Sequence, residues 1–290
     1  MTEVDRSRNF IFFGEDTFSL VVLESLVDSG LGLHPLAVVM LEPISVSGGR
    51  LVAYCEVHGI ALIKITTVRS QEFLACFDSM DFDLVISAHF QRILPVSLFR
   101  RARLGALNLH PSLLPRYRGM APQHWPIILG DAETGVTVHC IDEGVDTGRI
   151  VHQVRIPLKL DIYIHELQKE LLVTYRTVMV EAVQRLINGY TGEAQPSEGE
   201  VYFHKIQNLD MKISLEMDVK QVYGLVRAFA FPYPGAQFQD LRIMKAQPVD
   251  AALWIELRKL SQSPSLQSKD DNLYLVLKDG ALKLIKWKKV

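Results

Sequence analysis

The chain has 290 residues, 48% hydrophobic and 22% charged, with a formal net charge of -2. This supports one large or two smaller packed domains, and excludes both wholesale disorder and a surface built throughout for nucleic acid. Three dispersed cysteines (Cys55, Cys76, Cys140) suit a reducing compartment and form no disulfide framework or zinc pattern; with no apolar leader run or membrane-length segment, the expectation is a cytoplasmic protein without a membrane partner.

In chain order, NFIFFG (Asn9 to Gly14) reads as a buried strand. DTFSLVVLESLVDSG (Asp16 to Gly30) has helical spacing, with Asp16 or Thr17 as N-cap and Gly30 as stop. His34 to Leu41 is a second strand, Gly48 to Ile60 a helix and ALIKI a short third strand. SQEFLACFDSM gives another helix, Phe82 to His89 a continuous apolar strand, ILPVSLFRRA a short helix and GALNLH a strand. Strands that are apolar on both faces and alternate with helices predict an α/β fold with a doubly wound, mostly parallel sheet. Ligands of such sheets sit beyond the carboxyl ends of the strands.

Thr134 to Asp142 and Arg149 to Leu158 read as two more strands, followed by a long amphipathic helix ending at Asn188-Gly189. GYTGEAQPSEGEVY has linker composition. It separates a predicted catalytic domain (1–195) from a smaller, mostly β domain (205–290). That domain has a helix around DVKQVYGLVRAFA and short strands at RIMKA, LYLVLK and ALKLIKWKK, with SQSPSLQSKDDN expected as a mobile loop.

Two stretches carry chemistry. GALNLHPSLLPRYRG places Asn108 and His110 two residues apart on a strand, so both side chains face one side before Pro111 and Pro115 set the loop's path. IDEGVDTGRIV presents Asp142, Glu143 and Asp146 from a turn between strands. An amide, an imidazole and a carboxylate are the groups needed to polarise a carbonyl, hold its oxyanion and move a proton. HPS lacks the glycine elbow of a serine hydrolase, so Ser112 is no nucleophile and direct attack by a substrate amine is favoured.

NLHPSLLPRYRG followed by GDAETGVTVHCIDEGVDTG resembles the signature of the folate-dependent formyltransferases, over most of residues 9 to 190. IQNLDMKISLEMDVKQVYGLVRAFAFPYPGAQF is similar, more loosely, to the C-terminal domain of the methionyl-tRNA and aminosugar members. The resemblance implies a Rossmann-like core, N10-formyltetrahydrofolate as co-substrate and no metal. It implies a catalytic set of Asn108, His110 and Asp146, in which Asn108 and His110 hold the oxyanion and Asp146 orients or charges His110 and helps remove the amine proton. The pterin would lie between Ser87–Pro95 and Cys140–Asp146, against Ala88, Phe90, Gln91, Arg92, Ile93, Leu94, Cys140, Ile141, Asp142 and Val145, largely through backbone. For His89, shaping the loop and touching the ligand stand as equal readings.

The partners implied are folate and an amine acceptor. A tRNA-binding member is expected to carry a basic insertion after the second strand, whereas LEPISVSGGRL holds only Arg50, which disfavours tRNA. An aminosugar nucleotide is the preferred acceptor. Gly14 would permit close approach, Ser112 would lie near the substrate, Arg116 and Arg118 would pair with phosphates, and Trp125 or Tyr233 would stack on a base or sugar. HPSLLPRYRG nevertheless departs from the HxxPLPxYRG of many sugar members. Methionyl-tRNA, a small amine such as hydroxyornithine, water, and a non-catalytic folate-binding role remain the alternatives, and a homodimer is one possibility.

Overall fold

The structure is a computed structural model that describes residues 7–214, 216–259 and 265–290. The elements run β1 (Arg8–Phe13), α1 (Thr17–Val27), β2 (Leu33–Leu41), α2 (Gly49–His58), β3 (Ala61–Ile65), α3 (Gln71–Ala75), β4 (Leu84–Ala88), α4 (Val96–Phe99) and β5 (Gly105–His110). Next come β6 (Arg118–Gly119), α5 (Trp125–Leu129), β7 (Glu133–Cys140), β8 (Ile150–Pro157), α6 (Ile164–Ile187) and β9 (Tyr202–Phe203). The chain ends with α7 (Val219–Ala228), β10 (Ala236–Phe238), β11 (Leu241–Pro248), α8 (Ala251–Arg258), β12 (Ser265–Lys269), β13 (Asn272–Val276) and β14 (Ala281–Lys289).

The chain separates into two compact units. One takes the chain up to Gly119 with Gly135–Arg155 and Leu171–Tyr202; the other takes Met120–Thr134, Ile156–Glu170 and Phe203–Val290. In the first unit a seven-stranded sheet has the order β3-β2-β1-β4-β5-β7-β8. The pairs β1-β2, β2-β3, β1-β4 and β4-β5 are parallel, and β5-β7 is antiparallel. This is the doubly wound sheet expected from the apolar runs. Phe10, Ile11, Phe12 and Phe13 are all fully buried because helices cover both faces of the sheet. Ile11, Phe13, Phe73, Phe77, Phe82, Val85 and Leu98 form one continuous core cluster.

Strand order reverses between β1 and β4, the place where ligands of open α/β sheets bind. Helix α1 starts beside it with a capping box: Asp16 accepts from the Ser19 N–H, and the Ser19 hydroxyl accepts from the Asp16 N–H. Helix α6 stops where Gly189, at φ 86°, lets the Tyr190 N–H turn back to the Arg185 carbonyl.

The second unit holds a five-stranded sheet, order β10-β11-β14-β13-β12, whose paired strands are antiparallel. Helix α7 has its own capping box, Asp218 with Gln221. Besides the short elements α5, β9 and β10, which the sequence did not announce, two differences stand out. Helix α8 is capped by Asp250, which accepts from the Leu253 N–H at 2.8 Å, although the sequence reading had no helix there. Part of the SQSPSLQSKDDN loop is a strand: β12 pairs with β13 through a turn at Asp270 and Asp271, while residues 261–264 lie outside the described residues. Among the described residues no helix is long and apolar enough to cross a membrane.

Candidate active site

Strand β5 delivers Asn108 and His110 at its carboxyl end, and its antiparallel register with β7 sets Asn108 opposite His139 and His110 opposite Thr137. The loop after β7 returns Asp146 to the same place. Asp146 Oδ2 lies 3.5 Å from His110 Nδ1, and Oδ1 lies 3.5 Å from Asn108 Nδ2 and 3.4 Å from His139 Nε2. The three residues named from the sequence therefore converge, and they gather a fourth, His139. In sequence, a histidine inside a buried strand reads as core, and only the strand register reveals its neighbours.

Asp146 is left-handed at φ 54°, as is Tyr117 at φ 61° in the neighbouring loop. A non-glycine residue there carries a strain of about 1 kcal/mol or more, offset only when surrounding contacts fix it. For Asp146 those contacts are visible. Its carboxylate accepts from the Gly119 N–H at 2.8 Å, and its carbonyl accepts from Gln195 Nε2 at 2.8 Å. Gly148 completes the turn, since a Cβ there would sit 1.8 Å from the Cys140 carbonyl oxygen.

Hydrogen-bond partners assign the ring protons. His110 Nε2 is 2.8 Å from the Tyr117 carbonyl, which only accepts, so Nε2 carries a proton and Nδ1 faces Asp146. His139 Nδ1 is 2.8 Å from the Cys140 carbonyl, so Nδ1–H donates and Nε2 accepts from Asn108 Nδ2 at 3.2 Å. That contact orients the Asn108 amide. Its other N–H donates to Asp146 Oδ1 over a long 3.5 Å contact, which an incoming oxygen would replace.

Burial pushes the His110 pKa down, against the opposing pull of Asp146 and the Tyr117 carbonyl, so the ring is neutral near pH 7. Burial also opposes ionisation of Asp146, but the positive charge that His110 and His139 gain on protonation, together with the Gly119 N–H, outweighs it and holds the carboxyl well below its usual range. The site thus pairs a fixed carboxylate with a neutral imidazole whose Nδ1 is the free base position.

The Ser87–Pro95 loop is tied at its root. His89 bonds Asp16 at 3.2 Å and the Tyr175 hydroxyl at 3.0 Å and stacks on Phe18, so its ring shapes the loop. Ala88 and Leu94 are buried, and Phe90 packs edge-on to Phe13 with centroids 5.2 Å apart. The Gln91 N–H donates to Glu15, Arg92 is exposed with its guanidinium on the Gln91 carbonyl, and Ile93 stands 63% exposed. In the facing loop Ile141 packs on the core and its N–H donates to Ala106. Burial pushes the Cys140 thiol up. Asp142 closes its own turn through Gly144 and Thr147, and Val145 is 40% exposed.

The residues expected to grip an acceptor are placed differently. Gly14 is required by packing, since a Cβ there would lie 2.5 Å from Ser19 Cβ. The Ser112 hydroxyl is buried and donates to the Arg116 carbonyl. Arg116 bonds the Tyr117 hydroxyl and lies over its ring. Arg118 is buried on protein partners, Gln195, Glu200 and the Tyr202 hydroxyl, which corrects its reading as a phosphate clamp: its donors are turned inward. Trp125 and Tyr233 belong to the second unit, where Trp125 packs on Phe203 and Tyr233 meets Gln123, Gln168 and the His124 ring. Among the described residues no group of three or more His, Cys, Asp or Glu is placed to hold a metal ion.

Residues 51–183 match the formyl transferase family and residues 205–289 the formyl transferase C-terminal domain. A methionyl-tRNA formyltransferase of Parvibaculum lavamentivorans is 32% identical over 254 residues, which is 82% of this chain and 81% of that protein. The fold is shared with an N-formyltransferase from Helicobacter canadensis solved with folinic acid and dTDP-3-aminofucose (TM-score 0.73, 20% identity, 96% of this chain and 99% of that one). It is also shared with WlaRD, a sugar 3N-formyl transferase solved in the presence of dTDP and 5-N-formyl-THF (TM-score 0.70, 17% identity, 96% and 98% covered).

Proposed function

Because the chain belongs to the formyl transferase family, we propose that it moves the formyl group of N10-formyltetrahydrofolate to the primary amine of a nucleotide-linked amino sugar. The observation that carries formyl transfer is the convergence of Asn108, His110 and Asp146 from two loops at the carboxyl end of the sheet.

In this reading the acceptor nitrogen attacks the formyl carbon and the carbonyl oxygen becomes an oxyanion. The N–H of Asn108 Nδ2 that makes the long contact with Asp146 turns to donate to it. The proton released by the attacking nitrogen passes to His110 Nδ1, directly or through one water. The resulting imidazolium is stabilised by Asp146 and stands beside the oxyanion. As the bond from carbon to N10 breaks, the same proton returns to N10, leaving formylated amine and tetrahydrofolate. The pterin would lie between Ser87–Pro95 and Cys140–Asp146. The exposed side chains of Ile93 and Val145 offer apolar contact, and backbone groups supply recognition.

For the acceptor, the segment joining β2 to α2, residues 42–48, is a short turn without Lys or Arg, and Arg50 follows in the first turn of α2; this speaks against the basic insertion expected to grip a tRNA stem. The second reading, methionyl-tRNA, is favoured by 32% identity over 82% of the chain to an enzyme of that name. Incubation with formyltetrahydrofolate and, separately, nucleotide-linked amino sugars, methionyl-tRNA, hydroxyornithine and water decides between them. The proposal expects formylated amino sugar by mass spectrometry; formylation of methionyl-tRNA alone would overturn it.

A further inference from the structure

We propose that Gln195 is a positioning residue for Asp146, supplied by the segment whose composition reads as a linker. Its side-chain amide uses its full hydrogen-bonding capacity, two donors and two acceptor lone pairs. Nε2 donates to the carbonyls of Asp146 and Gly148, both at 2.8 Å. Oε1 accepts from Arg118 Nε at 3.1 Å and Nη2 at 2.7 Å. The amide cannot be reversed, because that would set its N–H groups against a guanidinium and its oxygen against two carbonyls.

The consequence reaches the carboxylate from two directions. Through its donors Gln195 fixes the backbone on both sides of the left-handed Asp146–Gly148 turn. Through its acceptor it holds Arg118, which is anchored further by Glu200 and the Tyr202 hydroxyl. The residue after Arg118 is Gly119, whose N–H donates to Asp146 Oδ2 at 2.8 Å. One side chain therefore sets both the backbone that carries the carboxylate and the N–H that grips it. The hydrogen bonds of Gln195 go to Arg118, Asp146 and Gly148 and not to Asn108 or His110, so it acts by placing Asp146.

The role assigned to Asp146 rests on the formyl-transfer reading, but the placement is measurable without substrate. The charged and titratable groups facing His110 are Asp146 and His139, with His89 further off. A displaced Asp146 withdraws the neighbour that favours His110 protonation. The test is NMR titration of the His110 imidazole in the full-length protein and in two neutral variants, Gln195→Met, which keeps the length, and Gln195→Asn, which keeps the amide one carbon short.

The expected result is a His110 pKa lowered by about one unit relative to wild type, together with a fall in kcat that exceeds any rise in KM for the folate donor. A merely structural side chain would lower the melting temperature and leave the His110 titration in place. That result in either folded variant overturns the proposal, and so does failure of both variants to fold. A shifted titration in a protein that transfers no formyl group would retain this inference and refute the proposed function.

Discussion

His110, the base in the proposed function, differs little in its surroundings from a core histidine. It is buried, with one nitrogen committed to the Tyr117 carbonyl and the other facing a carboxylate at 3.5 Å. Since the base form is the neutral ring and burial lowers its pKa, the acid limb of kcat/KM should fall below the ordinary histidine value of about 6.5. A limb at or above that value would contradict the assignment. Burial acts the same way on His124, pushed down to about 4. A histidine that is harder to protonate when folded contributes stability above its unfolded pKa and loses it as pH falls toward the folded one. Urea denaturation between pH 6.5 and 4 should therefore reveal about 3 kcal/mol of lost stability from His124 alone. A His124→Phe variant should flatten that slope, and an unchanged slope would refute the claim. At this scale Asn108 and His110 stood out as polar groups ending an apolar strand, whereas Asp146, in a turn that reads as solvated and acidic, was singled out only by the family resemblance. His139 was not legible, because alternation inside a buried strand marks it as core. Arg118 misled because a basic turn looks the same whether it faces phosphate or Glu200.

At the scale of elements, the parallel strands were readable from their continuous apolar runs, and α1 and α7 from their capping residues. Helix α8 escaped because AALWIELR is short and begins apolar, so only Asp250 marks its start. Strand β12, SLQSK, escaped because an edge strand this polar has no hydrophobic alternation. The loop after β7 is the element on which the proposed chemistry depends. Gly148→Ala would force a Cβ to within 1.8 Å of the Cys140 oxygen, so the turn must open. Overpacking of this kind costs about 1–3 kcal/mol. Because Asp146 moves with the turn, the variant should lose both stability in urea and activity while keeping every catalytic side chain. Wild-type values for both would show that the turn tolerates the extra carbon.

For the whole molecule, charge sets the expectation about the acceptor. A chain of net charge -2 whose 42–48 segment between β2 and α2 carries no Lys or Arg is expected to show little of the salt sensitivity that contact with many phosphates confers. The kcat/KM for an amino-sugar nucleotide should change by less than about threefold between roughly 50 and 200 mM salt, whereas closure on several tRNA phosphates would cost roughly a thousandfold. A steep salt dependence would favour the polynucleotide acceptor. The compact units are discontinuous, with 120–134 and 156–170 clustering with the C-terminal part, and no local composition announces that exchange. The account as a whole turns on whether the convergent amide and imidazole perform the transfer. The most direct measurement is tetrahydrofolate release with the identified acceptor, comparing wild type with Asn108→Ala and His110→Ala variants shown by circular dichroism to be folded. Release should slow by about 10²–10³-fold for Asn108→Ala and about 10²–10⁴-fold for His110→Ala; a wild-type rate in either would contradict the mechanism.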